Sequence, residues 1–350
     1  MRLRIADIDI PPESMTSVEI PVPGLYAHAP MSMPVRVVTG KERGPILLIL
    51  ACVHGDEING MEIIRRLLSN PSVRKIRGAI VAVPVVNVYG LQAHSRYMPD
   101  RRDLNRSFPG SERGSLTSRM AHIVVRELLS IATHCIDIHT GALHRYNLPQ
   151  IRATLADKRN LELAKAFGAP VILDSESFEG SVRHAAGKMF NIPCLLYEAG
   201  EALRYDELSI RTGVRGLLRV MRHLDMIGKA TREKKADFDP LIFKQSSWVR
   251  APISGVMLDS RQPGDIVDRD EILGWIGDPF AEKQAAVVNP AAGMVICTTN
   301  IPLVNEGEAL FHMARFDGAA GPGMHDTLQT YRDIIRISDE FLGPVAGGPE

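Results

Sequence analysis

His54 with Glu57, Asp137 with His139, and Glu198 are the residues of this 350-residue chain whose types and positions could do chemistry together. Each group closes an apolar run. Val53-His54-Gly55-Asp56-Glu57 follows Pro45-Ile46-Leu47-Leu48-Ile49-Leu50-Ala51, Asp137-Ile138-His139-Thr140-Gly141 follows Cys135-Ile136, and Glu198-Ala199-Gly200 follows Pro193-Cys194-Leu195-Leu196-Tyr197. An imidazole and a carboxylate a short spacer apart form a pair that zinc takes readily, and a catalytic zinc site uses three protein ligands and leaves its fourth position to water. His54, Glu57 and His139 supply that count with suitable donors. Asp137, two residues before His139 on the same strand face, can accept from the ring nitrogen that faces away from the metal. Glu198 is a candidate general base, because zinc lowers the pKa of water from ~15.7 towards ~7 and a nearby carboxylate can then pass the proton to a leaving amine. Taken singly, each residue has a plainer reading: a solvated turn histidine, a satisfied strand-end histidine, a capping or salt-bridged glutamate. Their joint occurrence at three strand ends carries the metal reading. Asp56 stays open between orienting a ligand and solvating the turn.

For these groups to meet, the three strands must end on one side of one sheet, the side where open α/β sheets bind ligands. The unbroken apolar character of residues 45–51 predicts a strand buried on both faces, as in a parallel sheet. Further strands are expected at residues 34–38, 79–85, 135–141, 148–155, 170–173 and 193–200, with helices at 58–68, 116–132, 157–167, 181–190 and 207–228. Residues 87–114 lack periodicity and read as an ordered functional loop. This alternation predicts an α/β catalytic domain over residues 1–235, with a mostly parallel mixed sheet flanked by helices. After Lys234-Lys235-Ala236-Asp237 the runs shorten and are broken by Gly and Pro, so residues 236–316 read as a small all-β domain. Its segments Ala251-Pro252-Ile253-Ser254-Gly255 and Asn289-Pro290-Ala291-Ala292-Gly293 look like a weak duplication resembling a biotinyl/lipoyl-type barrel-sandwich. Neither half carries the exposed lysine of a carrier hairpin, so a scaffold role is expected. Residues 317–350 form a tail with a helical pattern at 328–341 and no assigned role.

Basic and acidic residues balance at 41 each, so no overall field attracts nucleic acid or an anionic membrane. No apolar run approaches the ~18 residues of a bilayer crossing, and the start Met1-Arg2-Leu3-Arg4-Ile5-Ala6-Asp7 lacks a secretory apolar core. Cysteines at 52, 135, 194 and 297 show no CxxC spacing, a usage that favours a reducing cytoplasm. An enzyme of this size is expected to form a symmetric homo-oligomer.

The stretch Arg96-Tyr97-Met98-Pro99-Asp100-Arg101-Arg102-Asp103-Leu104-Asn105-Arg106 puts four arginines in the long loop. A guanidinium fork matches a carboxylate in two hydrogen bonds, so a carboxylate-bearing substrate is implied if the loop faces the metal. Taken together, His54-Gly55-Asp56-Glu57, Asp103-Leu104-Asn105-Arg106, Asp137-Ile138-His139-Thr140-Gly141 and Glu198-Ala199-Gly200 resemble the succinylglutamate desuccinylase/aspartoacylase family, a branch of the zinc-carboxypeptidase fold. The resemblance implies one zinc ion per chain on His54, Glu57 and His139, with Glu198 as general base. It implies that Asn105 and Arg106 hold the substrate carboxylate, that Arg183 adds to that grip, and that Arg96 supports the oxyanion, with Arg101 and Arg102 as alternatives for the last role. Arg152 is singled out by its strand position alone.

The expected activity is therefore zinc-dependent removal of an acyl group from an N-acyl amino acid or a related small N-acyl amine. A carboxypeptidase acting on short peptides, or a non-catalytic binding protein that keeps the fold, are the alternatives.

Overall fold

The computed structural model describes residues 3–26, 30–228, 238–280, 282–316 and 324–337. The proposed boundary at residue 235 and part of the tail lie outside the described residues. Strand Ile46–Ala51 is the centre of a mixed sheet, and its residues alternate between two cores. Leu48 and Leu50 face a core built with the helices Leu116–Glu127 and Val182–Phe190. Leu47, Ile49 and Ala51 face a second core built with Asn59–Ser69, Lys158–Phe167 and Glu207–His223. Burial on both sides is why the run has no polar alternation. Four of these five helices begin where a side chain accepts from an otherwise unpaired N–H: Ser115 from Ser118, Asp157 from Arg159, Ser181 from His184 and Asp206 from Ser209.

Ile46–Ala51 pairs in parallel with Ala79–Val83 on one side and His134–Gly141 on the other, and Cys194–Glu201 continues the parallel set beyond His134–Gly141. Arg145–Ala153 then joins Cys194–Glu201 antiparallel, and Ser32–Thr39 and Met15–Pro21 are antiparallel at the opposite edge. The expected strand at 148–155 thus begins earlier, at Arg145, and runs against its neighbour. The helix expected to reach residue 132 ends at Glu127 and is followed by a short turn at Leu129–Ile131. The helix expected to reach residue 228 ends at His223. The loop 87–114 holds a short helix, Val88–Gln92, and a single turn at Leu104–Arg106.

Among the described residues 238–316 every extended regular element is a strand. Several of these strands join the main sheet. Gly293–Thr299 pairs with the start of Arg145–Ala153, and Ala309–Arg315 and Gln245–Arg250 follow it, so the central ladder runs on into this region. Leu241–Phe243 likewise pairs in parallel with Val171–Asp174. A second, four-stranded sheet of Gly255–Ser260, Ile272–Gly277, Gln284–Val288 and Leu303–Val304 packs over the extension through Val249, Leu273, Ile276, Val295 and Phe311. The tail helix Met324–Ile337 lies against Glu207–His223, where the Tyr331 hydroxyl meets Thr212 Oγ1 at 2.6 Å.

Candidate metal centre and cleft

After Ile46–Ala51 the chain turns at Cys52, with φ of 50°, and the Glu57 N–H closes a tight turn onto the His54 carbonyl at 3.1 Å. A Cβ at Gly55 would stand 2.0 Å from the Gly90 carbonyl carbon, so only glycine lets this turn lie flat on Val88–Gln92. His139 arrives from the neighbouring strand. His54 Nδ1 lies 2.8 Å from Glu57 Oε1, His139 Nδ1 lies 2.7 Å from Glu57 Oε2, and the two Nδ1 atoms are 3.1 Å apart. The ligand atoms of all three residues fall within 4.8 Å of one another.

Each ring is held from behind. His54 Nε2 lies 3.0 Å from Asp103 Oδ1, and His139 Nε2 lies 2.9 Å from Asp137 Oδ2. A neutral imidazole that donates its Nε2–H to a carboxylate presents a lone pair at Nδ1, so two lone pairs and the Glu57 carboxylate face one point. At 3.1 Å such lone pairs repel unless a cation or a proton lies between them. With both histidines neutral, as a metal would require, the carboxylates of Glu57, Asp103 and Asp137, offset by Arg96 at 3.1 Å from Glu57 and 2.9 Å from Asp103, leave a surplus of two negative charges. That charge and the donor set of two imidazoles and a carboxylate fit a divalent zinc ion. The Thr140 N–H fixes the second Glu57 oxygen at 3.0 Å.

The same charges govern titration. Burial pulls His54 down, but Glu57 and Asp103 outweigh it, and His54 sits above its ordinary value. Burial opposes His139 in the same way, and Asp137 and Glu57 raise it further. Burial also opposes ionisation of Glu57 and Asp103. The two histidines reverse this for Glu57, and His54 with Arg96 reverses it for Asp103, so both carboxyls are held well below the usual range.

Glu198 stands in register with His139 on the adjacent parallel strand. Leu195, Tyr197 and Ala199 point into the helix-side core, so Glu198 faces the cleft. Its two oxygens are held separately: Asn147 Nδ2 donates to Oε1 at 2.8 Å, and Arg152 Nε lies 2.8 Å from Oε2. The Arg152 contact is an ion pair without hydrogen-bond alignment.

The cleft in front of these groups measures about 480 Å³. Arg96, Asn105, Arg106 and Arg183 all line it, together with the metal cluster and Glu198. Arg101 and Arg102 are exposed and do not line it. Asn105 Oδ1 accepts from the Val182 N–H at 2.9 Å, which fastens the loop to the helix Val182–Phe190, and the Arg106 guanidinium lies 4.0 Å from the centre of the Phe178 ring. Arg183 is buried and donates to the Ser175 carbonyl at 3.0 Å. Asp56, left open between two readings, is buried rather than solvated, and its Oδ1 has no partner.

Sequence reasoning missed four contributors. Asp103 was visible in its motif, but its bond to His54 spans 49 positions and depends on the path of the loop. Asn147 and Arg145 precede the predicted strand start, and Pro149 and Asn147 break the apolar alternation set by Ile151 and Ala153. Trp248 enters the cleft from the C-terminal strands, and no local signal connects it with the metal.

A model of the succinylglutamate desuccinylase/aspartoacylase catalytic domain matches residues 43–224. A curated relative, the N-alpha-acetyl-L-2,4-diaminobutyric acid deacetylase of Halomonas elongata, is 28% identical over 267 residues, which is 72% of this chain and 76% of the relative. The crystal structure of a succinylglutamate desuccinylase/aspartoacylase from Rhodobacter sphaeroides superposes with a TM-score of 0.77 at 26% identity, covering 91% of this chain and all (100%) of that one. The product-bound ectoine utilization protein EutE (DoeB) from Ruegeria pomeroyi gives a TM-score of 0.77 at 22% identity, over 88% of this chain and 98% of that one, and shows likeness of fold.

Proposed function

This chain belongs to the succinylglutamate desuccinylase/aspartoacylase family, and from that premise we propose that it is a zinc-dependent hydrolase removing an acyl group from an N-acyl amino acid or a related small N-acyl amine. The observation that carries the reading is the convergence of His54, Glu57 and His139 beside Glu198, two of them in register on adjacent strands. His54, Glu57 and His139 would hold one zinc ion. Zinc, when bound, supplies Lewis acidity that polarises an amide carbonyl and brings the pKa of water from ~15.7 towards ~7.

Glu198 accepts the proton of the attacking water and delivers it to the leaving amine. Arg96, at the edge of the metal cluster, supplies positive charge where the oxyanion develops. Asn105, Arg106 and Arg183 take the substrate carboxylate. In support, among the described residues Arg106, Arg145 and Arg183 face the cleft with no ion-pair partner, and the acids that line it, Glu57 and Glu198, already have roles. The zinc-binding unit is proposed to span residues 1–235, with residues 236–316 as a barrel-sandwich-like flank that narrows the cleft. Among the described residues no helix is long and apolar enough to cross a membrane. The four cysteines are buried and unpaired, which fits a reducing cytoplasm. A homo-oligomer remains the expectation for an enzyme of this size.

The test is hydrolysis of a panel of N-acetyl and N-succinyl amino acids and N-acetyl-diamino acids, with metal analysis of the purified protein. Turnover of at least one, with stoichiometric zinc, is expected. Release of C-terminal residues from peptides with the N-acyl amino acids left intact would replace the deacylase by a carboxypeptidase. Absence of stoichiometric zinc would favour a binding protein.

A further inference from the structure

A polar chain runs from Glu198 into the C-terminal strands. Arg152 Nε lies 2.8 Å from Glu198 Oε2, but without hydrogen-bond alignment, so the pair does not by itself fix where the guanidinium points. The far side of that guanidinium meets His312: Arg152 Nη2 and His312 Nδ1 are 3.5 Å apart, the longest link of the chain. His312 belongs to Ala309–Arg315 and is the register partner of Trp248 on Gln245–Arg250. The two rings stack at 4.5 Å between centroids and 7° between planes, and His312 Nε2 lies 2.9 Å from Ser246 Oγ.

The chemistry of the ring is determined by these neighbours. Burial, with the positive charges of Arg152, Arg145 and Arg315, pushes the His312 pKa down to about 3. A neutral imidazole carries one N–H and one lone pair, and arginine has no acceptor. The lone pair is therefore at Nδ1, facing Arg152, and the N–H at Nε2 donates to Ser246 Oγ. A stacked ring with both nitrogens committed is a rigid seat for a long side chain that would otherwise sample several rotamers.

We infer that His312 is a positioning residue for the general base: from the C-terminal strands it orients Arg152, and Arg152 with Asn147 holds the Glu198 carboxylate against the cleft. The inference rests on the reading of Glu198 as the base. It gives the C-terminal strands a part in the chemistry besides narrowing the cleft. A displacement of about 1 Å at a reacting group can cost on the order of 10²-fold in rate, so a seat one residue removed from the base can control turnover.

The test compares His312→Leu with His312→Asn. Leucine keeps apolar bulk against Trp248 but offers Arg152 no acceptor, whereas the Asn carbonyl oxygen replaces Nδ1. His312→Leu should lose kcat by roughly 10- to 100-fold, with KM and zinc content unchanged, and His312→Asn should recover most of the loss. A crystal structure of His312→Leu should show Arg152 turned and the Glu198 carboxylate displaced. The inference is overturned if His312→Leu retains wild-type kcat, if the two variants lose activity and Tm alike, or if Glu198 is unmoved in the crystal. Should the wild-type protein hydrolyse no N-acyl substrate, the proposed function falls and the crystallographic comparison alone decides the positioning role.

Discussion

Asp137→Asn perturbs the metal centre through a residue that would not touch the metal. Asp137 is fully buried, its Oδ2 lies 2.9 Å from His139 Nε2, and its Oδ1 has no hydrogen-bond partner. The amide preserves shape and can still accept the imidazole N–H, but the negative charge behind the ring is lost. That charge makes His139 Nδ1 a better donor to a cation, and removing such a partner typically costs about 10–100-fold in metal affinity. The equivalent free energy is roughly 1.4–2.7 kcal/mol. Zinc held by the native state alone would, at a fixed zinc concentration, lend the variant less stability by the same amount. Competition with a chromophoric chelator measures the affinity, and thermal unfolding with and without zinc measures the linked stability. The expected outcome is a variant whose deficit in Tm against wild type is larger with zinc than without it. Equal deficits in the two conditions, with affinity unchanged, would refute both the charge argument and the assignment of His139 Nδ1 as a ligand atom.

Glu198→Gln should abolish turnover and leave zinc content unchanged, and a variant that keeps measurable kcat removes Glu198 from the role of base. Arg106→Lys keeps the charge but loses the planar fork, so KM should rise by about 10-fold or more while kcat changes less, as steady-state kinetics with a carboxylate-bearing substrate would read. In the metal-free protein His54 and His139 have pKa values raised above the ordinary histidine value. Their contribution to stability is therefore complete below about pH 6.5 and is lost as pH rises through the raised values. The urea midpoint of chelator-treated protein should accordingly decline from about pH 6.5 upward, and a midpoint that climbs over that interval contradicts the shifts. Gly55→Ala would drive a Cβ to 2.0 Å from the Gly90 carbonyl carbon, a clash expected to destabilise by about 1–3 kcal/mol or more and to be read as a lower urea midpoint.

The metal cluster was legible because it depends on a short-range rule. His54, Glu57, His139 and Glu198 all follow runs buried on both faces, and parallel strands end together, so convergence could be read from position in each run. Asp137 was legible by strand alternation, and its bond to His139 is present. The grip on Glu198 was not legible. Asn147 and Arg152 lie on a strand that runs against its neighbour, and Arg152, opposite Leu196, must reach along the sheet to the carboxylate. Period-two patterning gives no strand direction, so the rule of common strand ends does not extend to Arg145–Ala153. His312 and Trp248 depend on a register between strands that begin at residues 245 and 309, and such long-range pairing has no local signature. The composition break after residue 235 was read as the start of a small all-β domain, and composition carries no information on strand pairing. The ladder across Cys297 and Asn147 joins strands from either side of that break.

That continuous ladder also has a mechanical consequence. Lobes joined only by a linker can hinge, but here Cys297, Thr298 and Thr299 face Asn147, Tyr146 and Arg145 in one antiparallel pairing. Opening the molecule along this seam would strip main-chain N–H and C=O groups of their partners and leave a bare strand edge. The wall that bears Trp248 and the wall that bears Glu198 are therefore parts of one stiff plate. Relative movement of Trp248 and Glu198 therefore requires flexing of one continuous sheet and cannot come from rotation about a linker.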